Sequence, residues 1–467
     1  MVARDIDIGP LLENRRIGRF QALTLSLGVL TLFVDGLDYS TVNVGASAIL
    51  RAFGAERSAM GNVFSLGYFG IFIGSVLFGV LGDKFGRRPA LIVGVLAYSL
   101  PALATVFATS LQEVMLWRFL AGIGIGGVVP NVIALLTEAA PKRHRVTFVM
   151  ASFVGYSTGN ATIAQVAAWF IPIYGWQVVF LVAGVAGVAF CIVLALFLPE
   201  SLPYIAVTRP DSPKLRELVQ RALPELALTP EDRVRLHRPA SETRFSLRLL
   251  FESYRRIATP LLWIAFFAES LTFMTFSSWL ALILETAGLS ATQAALAFSY
   301  ASFGAMIAVF VLGRLIDYFG PKASVVSAMM AVALITYLGV PGLSPALIVA
   351  VAVAGQAAAS ATHQSLNGIV GSYYPTIIRG NGVGIATGMG RVAAIIGPYV
   401  VGYLMAAKVP LQEVLIYIAT PDLVVAAACV GLHLLRRSPA ARADFERPSA
   451  RAKEQLANEQ LAKEQLA

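Results

Sequence analysis

Runs of about twenty mostly apolar residues recur along this chain with short breaks between them, and that recurrence constrains the fold more than any other feature. At 1.5 Å per residue such a run covers the ~30 Å hydrocarbon core of a bilayer. In that medium the backbone can satisfy its own polar groups only as a helix or a closed barrel, and runs this long are helices. Twelve are found, at roughly 20–48, 60–81, 90–108, 111–139, 146–169, 176–198, 260–285, 292–316, 323–340, 346–372, 382–406 and 411–435. Of the 467 residues 57% are hydrophobic and 13% are charged, where soluble domains carry roughly 25% charged residues. These proportions exclude an ordinary soluble enzyme, and they are the reverse of a disordered chain. The expected fold class is an all-α membrane protein with twelve transmembrane helices.

The longest break, 199–259, carries 11 Lys and Arg beside eight Asp and Glu, with prolines that interrupt helical pattern. It reads as a linker between two six-helix bundles, giving 1–199, a cytoplasmic linker 200–259, 260–437 and a cytoplasmic tail 438–467. An even number of spans puts both termini on one side. That side collects 20 Lys and Arg in its short segments, against three (Arg51, Arg57, Lys408) on the other, so termini and linker are expected in the cytoplasm. The net charge of +9 follows from this topology and gives no argument for nucleic-acid binding. Gly79, Asp83, Phe85 and Gly86 recur as Gly313, Asp317, Phe319 and Gly320, each 234 residues on. Parallel half-repeats of six spans are the design of rocker-type secondary transporters, which hold substrate between the halves near the midplane.

The polar start has no short apolar core and no cleavage site, so no removed signal peptide is expected and the first span serves as the insertion signal. Cys191 and Cys429 sit in apolar runs without ligand-like spacing, so neither a disulfide framework nor a metal site is expected. No nucleophile elbow, His-x-x-x-His pair or phosphate-binding loop occurs. No enzymatic activity and no cofactor are expected. The glycines Gly122, Gly124, Gly126 and Gly127 lie in a membrane helix with no strand before it, which fits close helix packing rather than dinucleotide binding.

The stretch Gly82-Asp83-Lys84-Phe85-Gly86-Arg87-Arg88 between spans two and three resembles the GDxxGRR signature of the major facilitator superfamily, with its degenerate copy between spans eight and nine. The resemblance implies that Gly79, Asp83, Gly86, Arg87, Arg88 and Asp317 form a gating latch. Topogenic charge placement is the plain alternative. Asp35-Gly36-Leu37-Asp38 in span one resembles the DGxD motif of the aromatic acid:proton symporter family. Arg118 to Gly126 with Pro130-Asn131, Tyr374-Pro375-Thr376 with Arg379 and Gly382, and Gly390-Arg391 with Gly397-Pro398 agree with it. Membership implies import of benzoate-like or hydroxybenzoate-like anions with protons across an inner membrane, by a monomer, with Asn131 among the substrate-binding positions. The same fold serves exchange of another organic anion, and a membrane sensor of aromatic acids is a third reading.

Intramembrane charges mark the remaining candidates. Asp35 and Asp38 each cost about 2.5 to 3.5 kcal/mol at a helix centre. Their spacing of three places them on one face, suited to carrying a proton or to pairing with a cation. Arg391, about nine residues into span eleven and so ~14 Å deep, is the first choice for a substrate carboxylate, which a guanidinium grips in bidentate fashion. Arg118 is either a second carboxylate ligand or a partner of Asp35 or Asp38. Glu269 falls 234 residues after Asp35 and could relay protons, pair with Arg391 or face the cavity. Asp422 is a weaker candidate, and Glu138 beside Lys142 and Arg143 is a gate or a topogenic pair. His363, Gln364 and Asn367 give span ten a polar face suited to a hydroxyl on a substrate ring. Tyr39, Phe153, Tyr156, Phe276 and Trp279 are the aromatic residues placed to stack on such a ring.

Overall fold

The computed structural model describes residues 5–226, 232–236, 247–319, 322–374 and 376–437. Long helices dominate it: α1 (Arg19–Phe53), α2 (Ala59–Phe85), α3 (Arg87–Thr105), α4 (Leu111–Ala139), α5 (Arg145–Tyr174), α6 (Gln177–Phe197), α7 (Arg255–Thr286), α8 (Ala291–Phe319), α9 (Lys322–Tyr337), α10 (Pro345–Tyr373), α11 (Thr376–Ala406), α12 (Leu411–Ala419) and α13 (Pro421–Arg436). Helices α12 and α13 run in the place expected for span twelve, divided where Thr420 precedes Pro421. Among the described residues ten stretches are long and apolar enough to cross a membrane, taking 411–436 as one. The other two rods are α5, of 30 residues, and α9, a shorter apolar helix of 16 residues.

Helices α1 to α6 pack chiefly with one another, through α2 on α4, α1 on α5, α3 on α4 and α3 on α6. Helices α7 to α13 do likewise, through α7 on α11, α8 on α10, α9 on α10 and α7 on α13. Small residues permit the closest approaches. A Cβ on Gly122 of α4 would lie 2.3 Å from the Gly67 carbonyl oxygen of α2, and one on Gly126 would lie 2.1 Å from that of Ile71. Backbones touch there because no side chain intervenes, the packing expected from this glycine run.

Three helix pairs carry most of the contact between the two sets, α5 with α8, α2 with α11, and α1 with α7, and α1 also touches α8. The side-chain bridges between them gather at the end away from the linker. Ser47 donates to Glu285 at 2.6 Å and Arg57 donates to Thr286 at 2.8 Å. Arg51 lies 3.6 Å from Glu285, and Gln165 donates to Ser299 at 3.2 Å. Gly61 and Gly402 meet backbone to backbone, and Phe64 packs edge-on against Trp279 at 5.5 Å. This end is closed.

Beside the helices of this all-α fold, Asp5–Asp7 and Arg233–Arg235 form a small two-stranded parallel sheet that the sequence did not reveal. The linker also carries helices at Leu202–Thr208 and Pro213–Ala222. Their apolar residues Leu202, Ile205, Leu215 and Val219 form a small core with Ile8, Leu12 and Phe20 of the N-terminal segment. Helix Pro213–Ala222 carries Leu215, Leu218, Val219 and Ala222 at i, i+3, i+4 and i+7 behind a Ser212 cap, the spacing of an amphipathic helix, a signal overshadowed by the charges and prolines around it. At the other end of the linker, Leu250 and Tyr254 pack with α7, α10, α11 and α13.

Candidate functional site

A cavity of about 550 Å³ lies between the two helix sets, within the range of small-molecule sites. Its wall runs from Tyr39 and Tyr68, beneath the closed end, to Ile133, Val149 and Met150 of α4 and α5 and Asn367 and Thr387 of α10 and α11 near the linker end. The closing contacts therefore cover one mouth and leave the other side to the cavity. At the covered end Tyr39 and Tyr68 share a hydrogen bond of 2.7 Å, and Tyr68 shares another of 2.7 Å with Ser278 of α7. These bonds tie α1 and α2 to α7 immediately above the cavity.

Most of the wall is apolar or aromatic, with Phe153, Tyr156, Phe273, Met274 and Phe298 among its members. Phe276 and Trp279 are wholly buried and do not line it. Charge enters at a few points. Arg391 lines the cavity and makes no hydrogen bond or ion pair among the described residues. Asp35 is at the wall too, and among the described residues neither of its carboxylate oxygens has a hydrogen-bond partner. An uncompensated charge in such a place is costly, so each of these two groups is available to a ligand or a proton.

Asp38 and Arg118 are placed differently. Arg118 Nη1 donates to Asp38 Oδ2 at 3.1 Å and to Thr41 Oγ1 at 3.3 Å, and the guanidinium lies 6.0 Å from the Phe180 ring. Both members are buried and neither lines the cavity. Of the two roles open to Arg118, the structure gives it the partnership with Asp38. Three residues apart on α1, Asp35 and Asp38 thus divide the tasks, one free at the wall and one in an ion pair.

Glu269 of α7 meets His363 of α10, with Oε2 2.5 Å from Nδ1, rather than Arg391. The imidazole stacks on Phe273 at 4.8 Å and 24°. His363, Gln364 and Asn367 all line the cavity. Asp422 is fully buried on α13 and does not line the cavity. Asn131 does not line the cavity: its Nδ2 donates to the carbonyls of Phe78 at 3.1 Å and Gly127 at 2.8 Å. Its amide bonds α2 to α4, and the absence of a side chain at Gly82 makes room for its Oδ1. A residue so committed has no donor left for a substrate.

At the linker end the GDxxGRR segment forms the corner between α2 and α3. Gly86 has φ +105, and a Cβ there would meet the Glu200 carboxylate at 2.3 Å. That carboxylate accepts from the backbone N–H groups of Arg87 at 2.9 Å and Arg88 at 3.2 Å, capping the first turn of α3. Burial pushes the Glu200 carboxyl above its ordinary range, against the opposing pull of these N–H groups, that of Ser201 and the Arg88 charge. Arg87 pairs with Asp83 at 2.7 Å and reaches Glu138 at 3.5 Å. Glu138 also accepts from Ser201, so it faces Arg87 and the start of the linker instead of Lys142 and Arg143. Lys142 and Arg145 pair with Glu13. Arg88 donates to the Ala195 carbonyl at 2.5 Å, and nothing within 4 Å would meet a Cβ at Gly79. The side chain of Asp317 lies outside the described residues, as do Pro375 and the 438–467 tail. Glu200 was missed by sequence reasoning, although an acidic residue directly after the sixth apolar run was a readable signal.

A bundle of long apolar helices around a central cavity with an unpaired cation defines a multi-pass membrane carrier. The family model for the Major Facilitator Superfamily matches residues 28–290 and 262–465, and the chain belongs to that superfamily. It is a transporter, not an enzyme. The chain is 30% identical to the gallate transporter of Pseudomonas putida, over 94% of this chain and 98% of that one. It is 28% identical to the 4-hydroxybenzoate transporter PcaK of Acinetobacter baylyi (86% and 88%) and 27% identical to the benzoate transport protein of the same organism (88% and 89%). Among solved structures, a bacterial homologue of the human lysosomal transporter Spinster, in an inward-facing and unoccupied conformation, superposes with a TM-score of 0.66 at 15% identity, over 91% of this chain and 100% of that one.

Proposed function

We propose that this protein imports aromatic carboxylates of the benzoate or hydroxybenzoate type together with protons, by alternating access across the inner membrane. Both termini and the linker face the cytoplasm, twelve spans cross the bilayer, and the units that move against each other are 1–199 and 260–437, in a monomer. The observation that carries this reading is Arg391, an unpaired guanidinium on the wall of an otherwise largely apolar and aromatic cavity. A planar aromatic acid fits both halves of that description, with its carboxylate on the fork of Arg391 and its ring among Phe153, Tyr156 and Phe273. The relatives named for gallate, 4-hydroxybenzoate and benzoate transport support the same substrate class.

Asp35 is the proton site in this cycle, because it is the carboxylate at the cavity wall without a partner. Asp38 keeps Arg118 in place and serves coupling through the position of α1. The closed end, with Ser47, Arg51 and Glu285, is the outer gate, so the structure is inward-facing. In the outward-facing state these contacts part, Asp35 takes a proton and Arg391 captures the carboxylate. Closure of the outer gate then loosens the cluster of Asp83, Arg87, Arg88 and Glu138, with Asp317 in the other half, and release follows loss of the proton to the cytoplasm.

The test is uptake of radiolabelled 4-hydroxybenzoate into proteoliposomes under an inward proton gradient. Arg391→Ala should abolish uptake at substrate concentrations that saturate the intact protein. Asp35→Asn should abolish gradient-driven accumulation while sparing counterflow. Normal uptake by Arg391→Ala refutes the carboxylate site, and normal accumulation by Asp35→Asn refutes the proton site.

A further inference from the structure

We infer that the Glu269–His363 pair is a recognition element for a hydroxyl group on the substrate ring, so that this carrier prefers hydroxylated aromatic acids to unsubstituted ones. The inference rests on the aromatic-carboxylate reading above and assigns Glu269 to positioning rather than to proton transfer. Two contacts fix the imidazole. Its Nδ1 is taken by Glu269 Oε2 at 2.5 Å, and its plane is set by the stack on Phe273 at 4.8 Å. One polar atom, Nε2, remains, with no hydrogen bond among the described residues. The His363 side chain keeps 19% of its surface open, while Glu269 behind it is 1% exposed. The open part belongs to the cavity wall.

The charge balance of the pair selects among possible ligands. Imidazolium beside carboxylate, or neutral imidazole beside a protonated carboxyl, has no net charge, so this position does not attract a second anionic group. A hydroxyl suits it in either state, because it can donate to a bare Nε2 or accept from Nε2–H. The anionic end of the ligand already has Arg391 on the neighbouring helix α11. Gln364 and Asn367, on the same stretch of α10, add further polar groups at the wall. Apolar and aromatic side chains make up most of the rest. The cavity thus offers a cation for a carboxylate and, on a separate element, a neutral hydrogen-bonding position. A ring bearing no hydroxyl would leave Nε2 without a partner once the site closes, and sites built to bond a hydroxyl discriminate strongly against analogues that lack it.

The experiment measures KM for 4-hydroxybenzoate, 3-hydroxybenzoate, 4-fluorobenzoate and benzoate in proteoliposomes of the full chain. The intact protein should favour at least one hydroxylated acid over benzoate at least tenfold, with 4-fluorobenzoate grouped with benzoate. His363→Phe keeps an aromatic ring against Phe273 and removes Nε2, and it should bring the KM ratio close to one. Glu269→Gln retains an acceptor for Nδ1–H and should keep the preference, whereas Glu269→Ala should lose it. A ratio unchanged in His363→Phe, whatever the overall loss of rate, overturns the inference, as would happen if the pair were a proton relay. Equal KM values across the four acids in the intact protein overturn it without any variant. Absence of uptake of all four acids, with uptake of another organic anion, means instead that the aromatic-carboxylate reading has failed and this inference with it.

Discussion

Replacing Asp38 by Asn leaves the guanidinium of Arg118 charged, 5% exposed and without its counter-ion, since the 3.1 Å bond to Asp38 is its one ion pair among the described residues. Thr41 at 3.3 Å and the face of Phe180 at 6.0 Å cannot neutralise it. Breaking a buried pair from one side typically costs about 3 to 5 kcal/mol, and Arg118→Met should cost as much by stranding the Asp38 carboxylate. The double variant has no buried charge to strand. It loses the pair and leaves one amide imperfectly bonded, at about 1 to 3 kcal/mol. Independent effects would sum to roughly 6 to 10 kcal/mol, so the coupling between the two sites should be at least about 3 kcal/mol. Unfolding in mixed micelles, titrated with dodecyl sulfate and followed by tryptophan fluorescence and circular dichroism, supplies the four free energies. A double variant as unstable as the sum of the single ones would refute the reasoning, because it would mean that the two side chains act separately.

Gly86→Ala should destabilise the fold by about 1 to 3 kcal/mol, the usual scale for a side chain forced into such backbone geometry, and Glu200 must also move from the space the new methyl takes; a thermal unfolding midpoint unchanged within a degree would contradict this. Ser47→Cys together with Glu285→Cys should be bridged by a short, reducible bis-thiosulfonate reagent, since Ser47 Oγ lies 2.6 Å from Glu285 Oε1 across the two helix sets. The cross-link should stop uptake and reduction should restore it. Unimpaired transport by the fully cross-linked protein would show that this end need not open.

The apolar runs made the helices legible because the bilayer imposes one solution on each of them. Which charges face the cavity was readable only in part. Spacing placed Asp35 and Asp38 on one face of α1 but could not say that Arg118, eighty residues on, takes one of them. Glu269 and His363 are 94 residues apart, and no local pattern links residues on different helices. Asn131 carried a motif-like signature, yet its use is structural, joining α2 to α4 through backbone carbonyls that have no sequence identity. The three-residue strands at Asp5–Asp7 and Arg233–Arg235 lack the length for any alternation to be recognised.

That small sheet changes where the chain can be cut. Because Leu202, Ile205, Leu215 and Val219 pack on the N-terminal segment and Arg233–Arg235 pair with Asp5–Asp7, the chain after α6 stays anchored to the first helix set as far as Arg235. Two separately expressed fragments divided between residues 237 and 246 would each keep the packing seen among their described residues, so they should assemble into an active carrier. A division at residue 210 would separate the N-terminal strand from its partner and expose Ile8, Leu12 and Phe20. During synthesis the same arrangement holds the first strand unpaired until Arg235 has left the ribosome, so the N-terminal half is completed by residues that lie beyond its last membrane helix.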